Sequence, residues 1–140
     1  MKVMIDSSIF VNFLNDEPGS EKTEKFLKKV IKGKIRSFIS VITLTELMSV
    51  YYKKDPKKAI FAISLIEDLI DSNYTIPVVN TIATLAGRLK SKYSRFEKRP
   101  SLGDSLILAS AMVANCDLVV SLDFGLKKVE EITVKRPEEV

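Results

Sequence analysis

The chain has 140 residues, 46% of them hydrophobic and 29% charged, a balance that suits one globular domain over residues 1–140 rather than a disordered segment. Its net charge of +4 leans toward a polyanionic partner without singling one out. It has no histidine and one cysteine, Cys116, which excludes a histidine acid–base pair, a Ser-His-Asp triad, a zinc site built on imidazole and any intrachain disulfide.

The opening MKVMIDSSIFV is apolar but broken by Asp6, which does not fit a signal peptide, and no uncharged apolar run of about 18 residues follows. A soluble, cytoplasmic protein with no membrane partner is expected. KVMI (2–5) predicts a short buried strand, and Ile9, Phe10, Phe13 and Leu14 form a helical stripe over Ser7–Leu14. Asp16, Pro18 and Gly19 make a turn. Ser20 then caps a second helix that runs to about Lys32 and stops at Gly33. Arg36–Ser40 is a second strand, followed by a helix from Leu44 to about Tyr52 capped by Thr43. After the break at Lys53–Pro56, Ala59, Ile60, Ile63, Ile66 and Ile70 give the apolar face of another helix. Thr75–Val79 is a third strand, placed at a sheet edge by Pro77. A helix from Asn80 or Thr81 reaches about Tyr93. A polar, basic loop, Ser94–Pro100, precedes a largely buried helix over Leu102–Ala114. Leu118–Ser121 and Ile132–Val134 complete the set. Strands alternating with helices imply right-handed crossovers, so the expected architecture is a single α/β domain with a mostly parallel five-stranded sheet and helices on both faces.

Ligands of open α/β sheets sit beyond the carboxyl ends of the strands. Four acids fall there. Asp6 directly follows the first strand and Asp123 lies two residues after the fourth. Glu46 and Asp104 are expected in first helical turns, where partial positive charge helps keep them ionised. Taken singly, each has an ordinary reading: Asp6 as a cap, Glu46 and Asp104 as first-turn acids, Asp123 as a turn residue. Taken together they are harder to explain so. Glu46 lies between Leu44 and Leu47, and Asp104 precedes LILASAMVA; acids this deep in apolar sequence need a partner. Arg99 is the only cation near Asp104 in sequence, so a divalent cation is the natural partner. Oxygen ligands without His or Cys select Mg²⁺ or Mn²⁺, which can activate a water and neutralise a phosphoryl transition state.

With these residues in place, the chain resembles PIN domains over essentially its full length. VMIDSSIFVNFL resembles their opening strand and helix, and ISVITLTELMSV their second acidic motif. SLGDSLILASAMVANCDLVVSLDFGLKKVEEITVKRP resembles their last third, with an S/T-x-D element at Ser121 and Asp123. Members often carry threonine where Ser121 stands, and the fourth acid is their most variable element. The resemblance implies a Mg²⁺- or Mn²⁺-dependent ribonuclease, most like VapC-type toxins. Asp6, Asp104 and Asp123 would hold metal, Glu46 would be a ligand or orient the attacking water, and Ser8 and Ser121 would position carboxylates. It also implies a homodimer silenced by a VapB-type antitoxin.

Arg88–Arg99 carries six cations against Glu97 alone, and Arg95, Lys98 and Arg99 are candidate RNA contacts; a solvated helix end is the equal alternative. Tyr93 and Phe96 could stack bases but fit core positions better. A housekeeping RNA-processing nuclease and a catalytically silent binding module are the competing readings. A phosphoryl-accepting signalling domain would need paired acids after the first strand, where Ser7 and Ser8 stand.

Overall fold

Side chains of a strand alternate between two faces, and here both faces are apolar, so the sheet must be covered twice. In the computed structural model, which describes residues 1–71 and 74–140, β1 (Lys2–Ile5) sends Val3 and Ile5 to one core and Met4 to the other. Helices α1 (Ser7–Leu14), α2 (Ser20–Ile31), α3 (Val41–Tyr51) and α4 (Pro56–Leu69) supply the first core, with Ile9, Phe10, Phe26, Leu47 and Ile66. Helices α5 (Asn80–Lys92) and α6 (Leu102–Val113) cover the other face with Ile82, Ala86, Leu89, Ile107 and Leu108.

The remaining strands are β2 (Arg36–Ser40), β3 (Thr75–Ile76), β4 (Leu118–Val120) and β5 (Thr133–Lys135). They form a five-stranded sheet of order β3-β2-β1-β4-β5 in which every pairing is parallel. β3 lies at the edge, as expected, and ends just before Pro77. Short 3₁₀ turns follow at Phe124–Lys128 and Pro137–Glu139, which no sequence signal announced.

Four local expectations are corrected. Gly19, at φ 85°, holds the N-cap of α2, a backbone setting that favours glycine; Ser20 is already helical and its hydroxyl donates to Asp16 Oδ1. α3 begins three residues earlier than expected, because Ser40 ends β2 and also caps α3 by accepting from the Ile42 N–H. Thr43 is therefore buried inside the helix, its hydroxyl without a hydrogen-bond partner. Ile60 points to solvent rather than to the core, and so does Phe61 beside it. β3 and β4 are shorter than their apolar runs and β5 lies one residue later, since strand ends follow pairing and not hydrophobicity alone.

Candidate functional site

The crossovers from β1 run toward β2 and β3, whereas the chain entering β4 arrives on the other side of β1. The order therefore reverses between β1 and β4, and a crevice opens beyond their carboxyl ends. Asp6 stands at its floor. Its backbone N–H donates to Val120 O at 3.0 Å, extending the β1–β4 ladder by one residue. Its carboxylate is buried, and one oxygen, Oδ2, accepts from Ser8 Oγ at 2.6 Å and Ser121 Oγ at 2.8 Å. Those two hydroxyls are themselves fixed, because Ser8 Oγ accepts from the Leu122 N–H and Ser121 Oγ from the Asp123 N–H, each at 3.0 Å. The other oxygen, Oδ1, is buried with no partner at all.

Glu46 and Asp104 share this environment. A Cβ built on Gly103 would lie 3.4 Å from Glu46 Oε1, ordinary van der Waals contact, which places the Glu46 carboxyl against the first turn of α6. Oε1 is likewise buried and unpartnered. Asp104 is held by a capping box: its Oδ2 accepts from the Ser101 N–H at 2.9 Å and its N–H donates to Ser101 Oγ at 3.0 Å. Burial chiefly, and then the charges of Asp6 and Asp104, push the Glu46 carboxyl up to about 7; a hydrogen bond from Ser7 opposes the rise. Burial also raises Asp6, reinforced by Asp104 and opposed by Ser8 and Ser121. The expectation that a helix N-terminus keeps Glu46 ionised is overturned, because the early start of α3 moves Glu46 out of the first turn.

Asp123 is placed differently. It is exposed, and its Oδ1 accepts from the Gly125 N–H at 2.8 Å as cap of the 3₁₀ turn. Its carboxylate is not among the charges that shift Asp6 or Glu46. The structure thus brings three of the four acids into one electrostatic cluster and leaves the fourth at the rim, tied to the floor through Ser121. Among the described residues, no three such side chains are arranged to hold a metal ion as they stand. The donor chemistry nonetheless suits a hard cation, since two buried carboxyl oxygens lack any partner within a set of like charges.

The basic loop reaches this rim. The backbone of Lys98 and Arg99 passes within 3.8 Å of a Cβ built on Gly125, beside Asp123. The Arg99 guanidinium donates to Ser94 O at 2.9 Å, and Arg95 and Lys128 both lie 5.2 Å from the Phe96 ring. Tyr93 is buried and its hydroxyl donates to Glu131, so it belongs to the core and not to a base-stacking surface.

Sequence reasoning missed four contributors. Ser7 touches Glu46 and Ser101 braces Asp104, both foreshadowed by serines in SSIF and SLGD. Phe124 is 58% exposed next to Asp123, with the Arg136 guanidinium 4.2 Å from its ring centre. No local signal marks that pair, because β5 brings Arg136 there from another part of the chain.

The family profile of the PIN domain matches residues 3–132. No curated protein matches the sequence significantly. Among solved structures, VapBC2 from Rickettsia felis bound to a DNA fragment of their promoter aligns with a TM-score of 0.77 at 19% identity, over 97% of this chain and 98% of that one. VapBC-1 from nontypeable Haemophilus influenzae gives 0.72 at 17% identity over 98% of each chain. A toxin–antitoxin complex from Klebsiella pneumoniae gives 0.67 at 19% identity over 99% of each. At such identities the likeness is one of fold. Among the described residues, no helix is long and apolar enough to cross a membrane.

Proposed function

The chain belongs to the PIN-domain family, and from that premise we propose that it is a Mg²⁺- or Mn²⁺-dependent endoribonuclease, the toxin of a VapBC-like pair. One observation carries the reading: Asp6 is buried with Oδ2 clamped by two serines and Oδ1 left without a partner, beside Glu46 and Asp104. Asp6 and Asp104 would hold the ion, with Asp123 joining once its carboxylate leaves the Gly125 N–H. A bound divalent ion supplies an acidified water and positive charge for the phosphodiester.

The chain's own groups do the rest. Ser8 and Ser121 fix the direction of Asp6, and Ser101 fixes Asp104, so the ligand atoms need no search at the moment of reaction. Glu46, with a buried carboxyl oxygen that has no other partner, would be a ligand or orient the attacking water. Arg95, Lys98 and Arg99 approach the RNA backbone from the Asp123 side. The partners in this reading are RNA, a VapB-type antitoxin and a second copy of the chain; the fold shared with VapBC complexes supports the antitoxin.

The test is a mixed RNA pool incubated with purified protein and Mg²⁺, Mn²⁺ or EDTA, followed by sequencing of the ends. Metal-dependent products with 5′-phosphate and 3′-hydroxyl ends are expected, because water is the nucleophile. Products ending in 2′,3′-cyclic phosphate, or cleavage unchanged in EDTA, would overturn the mechanism.

A further inference from the structure

Lysines gather on α2 in a way that neither the fold nor the proposed site uses. Residues 21–36 carry seven cations against Glu21 and Glu24, a local excess larger than the +4 of the whole chain. Lys22, Lys25, Lys29 and Lys32 recur at three- and four-residue steps and form one helical stripe, away from the buried Thr23, Phe26, Leu27 and Val30. Lys22 pairs with Glu138 and Lys28 with Glu24. Among the described residues, Lys25, Lys29, Lys32 and Lys34 enter no ion pair. With Lys28 they line a cavity of about 310 Å³ that has no other lining residue.

A solvated helix end accounts for part of this, since cations in a last turn complement the helix dipole, as Lys28 and Lys29 do. It does not account for Lys25, further up the helix, or for Lys32 and Lys34 beyond its end. Four unpaired like charges around one hollow repel each other unless a polyanion lies there. We propose that this lysine face is a second RNA-binding surface, which grips the phosphate backbone of a folded RNA along α2, from the Lys22–Glu138 pair to Lys32 and Lys34 at the pole opposite the acids. The inference rests on the RNA reading above and extends it to substrate size.

RNA is favoured over an acidic protein because the stretch offers lysine point charges and a single exposed apolar side chain, Ile31. Protein interfaces are depleted in lysine and rely on aromatic, arginine or aliphatic anchors, whereas phosphates need only charge. The location sets the size. α2 leads into β2 at the strand N-termini, where the Arg36 N–H meets Met1 O, while Asp6 and Ser121 cap the other ends. A four-residue strand spans about 13 Å, so RNA stacked at about 3.4 Å per nucleotide must exceed about four nucleotides to touch both poles.

The experiment measures binding of a labelled RNA stem-loop in EDTA, so that cleavage cannot intervene, across a salt series. The triple variant Lys25→Ala, Lys29→Ala, Lys32→Ala is expected to bind the stem-loop about tenfold more weakly or worse, with a salt slope smaller by about 2 to 3. Its cleavage of a tetranucleotide should match that of the parent chain. The triple variant Lys53→Ala, Lys54→Ala, Lys57→Ala, of equal charge change, should keep the parental affinity. Unchanged stem-loop affinity in the first triple, or equal loss in both, overturns the proposal, as does lysine-dependent capture of polyglutamate with no RNA binding. A parent chain that binds the stem-loop through these lysines but never cuts defeats the nuclease reading and leaves this surface standing.

Discussion

Asp6→Asn is expected to reduce RNA cleavage by roughly 10³-fold or more, a loss of the size seen when a site's charge-stabilising group is removed, without lowering the melting temperature of the metal-free chain. The amide oxygen can still accept from Ser8 and Ser121, so the clamp survives. The substitution removes a buried charge that has no counter-ion in the chain and replaces the partnerless oxygen by a donor next to Glu46 and Asp104. Asp104→Asn should lose cleavage to a similar degree, since the amide oxygen preserves the capping box with Ser101. Asp123→Asn should cost much less, about tenfold, because that carboxylate stands apart from the cluster. Cleavage at saturating Mn²⁺ together with thermal melts decides it. Parental rates in either of the first two variants would remove the site.

The second large effect is on stability. Glu46 in the folded, metal-free chain titrates at about 7 against an ordinary 4.5, and Asp6 is displaced in the same direction. A carboxyl with a raised folded pKa holds its proton more tightly when folded. Its stabilising contribution is therefore complete below the unfolded value and is lost as pH rises through the folded one. Between about pH 4.5 and 7.5 the metal-free chain should lose about 5 °C of melting temperature. Saturating Mn²⁺ should restore it at pH 7.5, where the carboxyls are ionised, and do little at pH 5. A melting temperature that is flat with pH, or equal metal effects at both pH values, would mean that these acids do not act as one cluster.

Much of this is legible in the sequence. Residues 2–5 read as a short buried strand and 36–40 as a second strand, and the structure sends Ile39 and Phe38 of the latter to opposite cores. Asp6 followed the first of them without a loop, which placed it at a strand end whatever the topology. The boundary of α3 was not legible, because Ser40 serves two elements and nothing local distinguishes it from Thr43 as a cap. That error carried over to Glu46, whose acidity depends on its position along the helix. The serine clamp was half legible: Ser8 lies near Asp6 in sequence, but Ser121 meets it only because β4 pairs with β1. The status of Asp123 could not be read at all, since a turn residue and a ligand look alike until the 3₁₀ turn after it claims the carboxylate.

The bond between Ser121 and Asp6 spans 115 positions, and this fixes when the acidic floor can form. A polypeptide leaving the ribosome exposes Asp6 and Glu46 early, but Asp104, the strand Leu118–Val120 beside β1 and the second serine only near the end of synthesis. Loop closure over that separation makes the acidic floor one of the last features to assemble. Until then the nascent chain has the first two acids with Ser8 alone, and neither Asp104 nor Ser121 to complete the site.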